Sequence, residues 1–246
     1  MSVTGALSVF LRMAATIGGA SAVHHPAALR NRLPIVEGLR EFGFGELVGP
    51  ALEVASGTGA HIEVLAPAFT SLTWLPTEYV SGQPSAPAFA GAAFDESMRA
   101  LETIDLYGSS RFANVRPAAA LDASLPFEQW PAPVVSSAGQ HQLVLAVNIC
   151  HIAPWGATCG LITGASRALA PAGSLVIYGP FKVGGVCEPE SNAQFDRSLR
   201  ERNHEWGIRD VEALASHAGA HGMALHARKA MPANNFLLRF VKQAIL

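Results

Sequence analysis

The sequence predicts an α/β protein built on a doubly wound, mostly parallel sheet with one reversed strand near the C-terminus. Three observations predict it. Short apolar segments alternate with stretches of helical periodicity from Pro26 onward. One segment, Leu143-Val-Leu-Ala-Val147, is apolar at consecutive positions, the pattern of a parallel strand covered on both faces. The last two segments, Ala224 to Arg228 and Phe236 to Val241, are joined through the turn-rich Met231-Pro-Ala-Asn-Asn235, which suits an antiparallel pair.

Each element has its own signal. Leu29, Leu33, Val36 and Leu39 recur at three- and four-residue spacing after Pro26 and predict a leading helix that ends near Gly43 and Gly45. Pro50 to Ala55 is a short strand, followed by the loop Ser56-Gly-Thr-Gly59 and a helix to about Phe69. Leu72 to Leu75 is the next strand, closed by Pro76. Ser81 to Gly91, rich in Ser, Pro, Gly and Ala, reads as a loop inserted within the domain. Phe94 to Leu106 has helical spacing, Ala113 to Arg116 is a short strand, and Leu121-Asp122 closes a further apolar stretch. After Pro154 a helix runs to about Ala170, the turn Pro171-Ala-Gly173 follows, and Ser174 to Tyr178 is a strand. Glu190 to Arg202 and Ile208 to Ala218 read as two more helices, and no repeat of fixed period is present.

Half of the 246 residues are hydrophobic, enough for one substantial core, so residues 24–246 are expected to form a single domain. Residues 1–23 contain Arg12 and no acid and read as a flexible extension or a targeting peptide. The expected compartment is the cytoplasm, or a mitochondrion or plastid if residues 1–23 are a transit peptide. No apolar run is long enough for a membrane span. A net charge of −2, with 17 Lys+Arg against 19 Asp+Glu, offers no field for bulk nucleic-acid binding. Cys150, Cys159 and Cys187 are odd in number and lack Cys-x-x-Cys spacing, which argues for a reducing compartment. His24-His25 and Cys150-His151 are adjacent pairs that do not chelate one ion tetrahedrally, so no metal is expected. The oligomeric state is left open.

The chemistry centres on Glu53-Val-Ala-Ser-Gly57-Thr-Gly59, a strand running into small residues and then a helix. A mononucleotide loop would need a Gly-Lys-Ser/Thr sequence, and this segment has no lysine. A dinucleotide loop would need Gly or Ala at position 62, where Ile62 stands. An adenosylmethionine site tolerates a bulky residue there and uses an acid within the motif, Glu53, and a second acid after the next strand, Glu78, to accept from ribose hydroxyls. Asp122 ends the following strand region, at the adenine end of such sites. The candidate cofactor residues are therefore Glu53, Ala55, Ser56, Gly57, Gly59, Glu78, Asp122 and Asn148.

Asn148 to Trp155 follow the strongest strand and so lie at the carboxyl edge of the sheet. His151 is a candidate general base, Asn148 a hydrogen-bonding group and Trp155 a flat wall. Tyr178, Lys182 and Asn192 follow the next strand and are candidates for the same mouth; Arg30 and Asn31 are candidates to close it from the leading helix. Arg197, Arg200 and Arg202 are interleaved with Asp196 and Glu201 and read as a solvated face. Ser166 in Gly164-Ala-Ser166-Arg-Ala168 imitates a nucleophile elbow but lies inside a helical stretch, which rules that reading out.

Longer motifs carry a family resemblance. Pro26-Ala-Ala-Leu-Arg30-Asn31 with Pro34-Ile35, Leu52 to His61, and Leu72-Thr-Trp-Leu-Pro76 begin it. Asn148-Ile-Cys-His-Ile-Ala-Pro-Trp155, Tyr178-Gly-Pro-Phe-Lys182, Glu190-Ser-Asn192 with Phe195-Asp196, Trp206-Gly-Ile-Arg-Asp210 and Met231 to Asn235 complete it. The chain resembles the methyltransferase-like 26 family, domain of unknown function 938, over nearly its whole length from residue 26. The resemblance implies a Rossmann-like class I methyltransferase fold, seven-stranded with one antiparallel strand near the C-terminus, and S-adenosylmethionine as cofactor. It implies methyl transfer to an acceptor it does not name, a small molecule or a protein side chain. The alternative is a non-catalytic module of the same fold that works through a partner. Thr77-Glu78 stands where the family carries Ser-Asp, and the Ser81 to Gly91 loop is longer than in relatives.

Overall fold

The computed structural model describes residues 23–80 and 94–244. The predicted loop at Ser81 to Gly91 and, apart from Val23, the N-terminal extension lie outside the described residues. The first half contains α1 (Pro26–Glu41), β1 (Gly49–Val54), α2 (Ile62–Ala68), β2 (Leu72–Glu78), α3 (Phe94–Tyr107), β3 (Ala119–Ala120) and α4 (Ala132–Val135). The second contains β4 (His141–Val147), α5 (Trp155–Ala168), β5 (Leu169–Gly179), β6 (Phe181–Lys182), α6 (Glu190–Arg202), β7 (Arg209–Asp210), α7 (Val211–Ala220), β8 (Met223–Met231) and β9 (Asn235–Lys242).

Seven strands form one sheet in the order β3-β2-β1-β4-β5-β9-β8. The pairs from β3 to β5 are parallel, while β9 pairs antiparallel with both β5 and β8, so β9 alone runs against the others. The expected doubly wound sheet with one reversed strand is therefore present. The strand order reverses between β1 and β4, which opens a crevice at their carboxyl ends.

Alternate residues of each strand feed two cores. Leu143, Leu145 and Val147 of β4 face one, with Ile35 and Leu39 of α1 and Ile62 and Leu65 of α2. Val144 and Ala146 face the other, with Leu161 and Ile162 of α5 and Leu214 of α7. Burial of each such side chain contributes roughly 1.5–3 kcal/mol, and coverage on both faces is why β4 reads as an unbroken apolar run.

The strand expected from Ser174 begins already at Leu169, through Pro171-Ala-Gly173, and three other boundaries differ from expectation for identifiable reasons. β2 continues through Pro76 to Glu78. The N–H and C=O groups of alternate residues point to opposite sides, and Trp74 and Glu78 bond the β3 side while Thr77 bonds β1. The missing N–H of Pro76 thus falls on the β3 side, between the bridge at Val115 and the two-residue β3, where nothing needs it. The third strand is not Ala113 to Arg116, which makes only that single bridge, but Ala119–Ala120. The last predicted helix starts at Val211 because the Asp210 carboxylate accepts from Glu212 N and Ala213 N, and Arg209 and Asp210 are already paired with β6.

Ser166 lies within α5 and its hydroxyl donates to Thr163 O at 2.7 Å, the geometry of a helical serine. Gly164 on the same helix makes room for Trp130, whose ring a Cβ at that position would overlap.

Candidate cofactor site

β1 and β4, the two strands that flank the crevice, each end in a non-glycine residue in the left-handed region: Ala55 at φ 60° and Asn148 at φ 59°. Such backbone costs roughly 1–3 kcal/mol, and here it turns both chain exits over one cleft. That cleft has a volume of about 1000 Å³ and is lined by Arg30, Asn31, Ala55, Ser56, Gly57, Glu78, Asn148, His151 and Asn192, among others. A smaller cavity of about 320 Å³ lies among the strand starts at Gly49, Thr73 and His141, the edge opposite to where open α/β sheets bind ligands.

The glycine loop is held from below. Ser56 N donates to Thr77 O at 2.8 Å, and Thr77 Oγ1 donates to Glu53 O at 2.8 Å, so β1 and β2 fix the loop's start. Glu53 is fully buried and its Oε1 meets His61 Nδ1 at 3.0 Å. Gly57 has φ 62°, and a Cβ there would meet nothing within 4 Å; it would point into open cleft. Gly59, in contrast, has φ 83° and its Cβ would lie 3.1 Å from Ile104 Cα, so it is small to let α3 approach rather than to admit a ligand. The sequence placed Gly59 at the cofactor; its position packs it against α3 instead.

Glu78 sits across the loop. Its Oε2 accepts from Gly57 N and its Oε1 from Tyr79 N at 2.9 Å. Burial outweighs those two bonds, and the nearby Glu53 carboxyl adds to it, so Glu78 is pushed up to about 7. Asp122 is buried, and its Oδ1 accepts from Ser124 N at 2.8 Å and Ser124 Oγ at 2.6 Å, closing its own turn outside the cleft lining.

On the β4 side, Asn148 N donates to Tyr178 O at 2.8 Å, which ties the turn to β5. His151 is buried, stacks edge-on with Phe195 at 5.5 Å between centroids, and is pushed down to about 4 by burial and then by Arg209 and Arg202. It is uncharged at neutral pH. Asn192 Nδ2 donates to Asn234 O at 3.1 Å, which joins α6 to the β8–β9 turn where Ala233 and Asn234 are both left-handed.

Besides Glu53, Gly59 and Asp122, three residues predicted for the substrate pocket do not line the cleft. Trp155 is 38% exposed and holds Arg209 over its ring, with the guanidinium carbon 5.8 Å from the centroid. Lys182 pairs with Asp196 at 2.9 Å beside the β6–β7 pair. Tyr178 is buried in the sheet core, with its phenol raised by burial. Trp155 opens α5, Tyr178 lies within β5 and Lys182 within β6, so each is engaged by its own element.

The sequence missed other wall residues. His24, placed at the start of α1, bonds Thr58 Oγ1 through Nδ1 at 2.8 Å and roofs the loop. Phe195 and Arg202 reach the cleft from α6 and Asn235 from β9. The regular interleaving of charges along α6 hid Arg202; the solvated reading holds for Arg197, paired with Glu190, while Arg200 pairs with Asp196.

Several buried polar atoms around the cleft have no hydrogen-bond partner among the described residues: Ser56 Oγ, Asn31 Oδ1, His24 Nε2, Glu53 Oε2 and His61 Nε2. Orphaned atoms of this kind cost roughly 1–3 kcal/mol each unless a ligand or water meets them. With an open glycine and an acid beside it, they fit adenosylmethionine: Glu78 and Asn31 Oδ1 can accept from its hydroxyl and ammonium groups, and the Ser56 hydroxyl can donate to its carboxylate. Among the described residues no three His, Cys, Asp or Glu side chains gather as a metal set.

The family described as "Protein of unknown function (DUF938)" matches residues 22–242. Among solved structures, the chain is similar to an O-methyltransferase family protein from Burkholderia thailandensis, with TM-score 0.63 and 14% identity over 89% of this chain and 57% of that one. It is also similar to the S-adenosylmethionine-dependent methyltransferase SibL in its apo form, with TM-score 0.59 and 20% identity over 87% and 56%. A third is a methyltransferase in calicheamicin biosynthesis in its SAH-bound form, with TM-score 0.58 and 12% identity over 89% and 54%. The fold is thus that of class I methyltransferases, and the chain spans little more than half the length of these proteins.

Proposed function

The chain belongs to the family "Protein of unknown function (DUF938)", and we propose that it is an S-adenosylmethionine-dependent methyltransferase whose cofactor lies over Gly57. The observation that carries this is the pair of left-handed strand exits, Ala55 and Asn148, facing one cleft that holds an open glycine and the Glu78 carboxyl. The same motifs support the finer placement with the methyltransferase-like 26 family.

In this reading Glu78 accepts from the ribose hydroxyls, Ser56 and Asn31 supply their unpartnered oxygens to the methionine end, and Gly57 leaves the space. Glu53 acts through His61, fixing the loop from beneath. Asp122 acts through the turn it closes near the adenine end. The bound cofactor supplies a methyl group on a sulfonium, ready for in-line displacement, so the protein's task is mainly alignment.

His151 and Asn148 face the acceptor. An imidazole pushed down to about 4 is a weak base, and it suits accepting a hydrogen bond from an acceptor more than removing its proton early. The three cysteines are free thiols, which fits the cytoplasm as compartment; among the described residues no helix is long and apolar enough to cross a membrane.

A methyl-transfer screen with labelled donor over metabolite and protein extracts tests the reading, with His151→Ala in parallel. The expected result is a labelled acceptor whose yield falls at least tenfold in the variant. Adenosylhomocysteine binding with no labelled product from either extract would favour the non-catalytic module.

A further inference from the structure

The wall opposite the glycine loop differs in chemistry from the loop itself. Ile152 and Phe195, both lining the cleft, are 39% and 37% exposed, large apolar surfaces for residues inside a concave site. Arg202, at the end of α6, lines the same cleft, with its guanidinium carbon 5.5 Å from the centroid of the Trp206 ring. Its Nε donates only a long bond to Ser198 O, and no carboxylate among the described residues pairs with it. Arg209, behind His151, gives its bonds to the carbonyls of Cys150, Ala153 and Glu205. Among the described residues lining the cleft Glu78 is the only acid, and it is held by Gly57 and Tyr79 on the loop side.

A count of charges separates two ligands. The proposed cofactor carries one carboxylate, and Arg30 stands on α1, the helix whose start roofs the glycine loop through His24 and Thr58. Arg202 lies on the other wall and is surplus to that carboxylate. A volume of about 1000 Å³ is at the upper end for small-molecule sites, roughly 300–1,000 Å³, and accommodates a second ligand beside the first. The cationic surplus is felt at the centre of the cleft, since Arg209 and Arg202 add to burial in holding His151 uncharged.

We propose that the acceptor is a small apolar acid: a flat or compact hydrophobic body seated between Ile152 and Phe195, with its carboxylate on Arg202. The proposal rests on the methyltransferase reading but concerns a separate wall of the cleft. Arginine is the residue suited to such a group, since its planar fork meets both carboxylate oxygens.

The test is a calorimetric titration of the full chain with three probes of one shape: hydroxynaphthoate, hydroxynaphthamide and (aminomethyl)naphthol, each with and without adenosylhomocysteine. The account expects the carboxylate to bind at least tenfold more tightly than the amide, and the cation to bind worst. Arg202→Gln should remove that preference, Arg197→Gln on the same helix should keep it, and Phe195→Ala should weaken the carboxylate and the amide alike. Arg30→Gln should weaken adenosylhomocysteine and leave the preference in place.

Equal binding of carboxylate and amide, no binding of any probe, or a preference that survives Arg202→Gln would overturn the inference. Failure of the cofactor reading is visible separately, as absence of adenosylhomocysteine binding in the same titrations while the carboxylate preference persists.

Discussion

Burial lifts the Glu78 carboxyl to about 7, so near neutral pH it exchanges between an acid and a carboxylate at the position proposed for the ribose. A raised acid favours the folded state in its protonated form. Its contribution is fully present below the ordinary carboxylate range, near 4.5, and is lost as pH rises through about 7. The ligand-free protein should therefore lose stability across that interval, and Glu78→Gln should flatten the loss in thermal melts taken at a series of pH values. Cofactor affinity should move the other way, rising between pH 6 and 8 as the better acceptor forms, and the glutamine variant should be weaker and independent of pH. At this scale the sequence was informative where function is local. Glu53, Ser56, Gly57 and Glu78 stand in one strand-loop-strand unit, and their order announces their task. Gly59 and Arg202 were read differently because their surroundings are tertiary: α3 approaches the one, and the wall of a cleft receives the other.

Elements were legible wherever one physical cause dominated. β4 is covered on both faces and α6 is a regular amphipathic stretch, so Glu190 to Arg202 was readable to its ends. β2 and β3 were not, because whether Pro76 ends a strand depends on which neighbour its missing N–H would have faced. Helix α5 shows the same dependence. Gly164 resembles a helix-weakening residue in the sequence, yet its place is set by Trp130. Gly164→Ala should gain intrinsic helix propensity and still destabilise the protein, because overpacking costs roughly 1–3 kcal/mol. Denaturant melts should show a lower midpoint, while affinity for adenosylhomocysteine stays within a factor of two, since Gly164 is not among the cleft residues. A stabilised variant would mean that Trp130 is free to move aside.

At the scale of the molecule, the sheet order β3-β2-β1-β4-β5-β9-β8 creates the crevice, and widely separated stretches of chain, from the start of α1 to the β8–β9 turn, supply its walls. The family motifs after residue 148 were recognisable as motifs but not as one surface; the β8–β9 turn and α6 meet through tertiary bonds, from Asn192 to the Asn234 carbonyl and from the Asn234 amide to Ser191 Oγ. Because the cleft leaves buried polar atoms without partners, a ligand that meets them should stabilise the whole fold, by about 2.7 kcal/mol at a hundred times its dissociation constant. The most direct measurement is isothermal titration of adenosylhomocysteine into the wild type and into Gly57→Ala. The substitution costs about 1 kcal/mol of backbone strain and places a methyl group in the open space of the loop. The account predicts micromolar binding by the wild type and a loss of at least tenfold in a folded variant; no binding at millimolar ligand, or equal affinity in the two proteins, would contradict it.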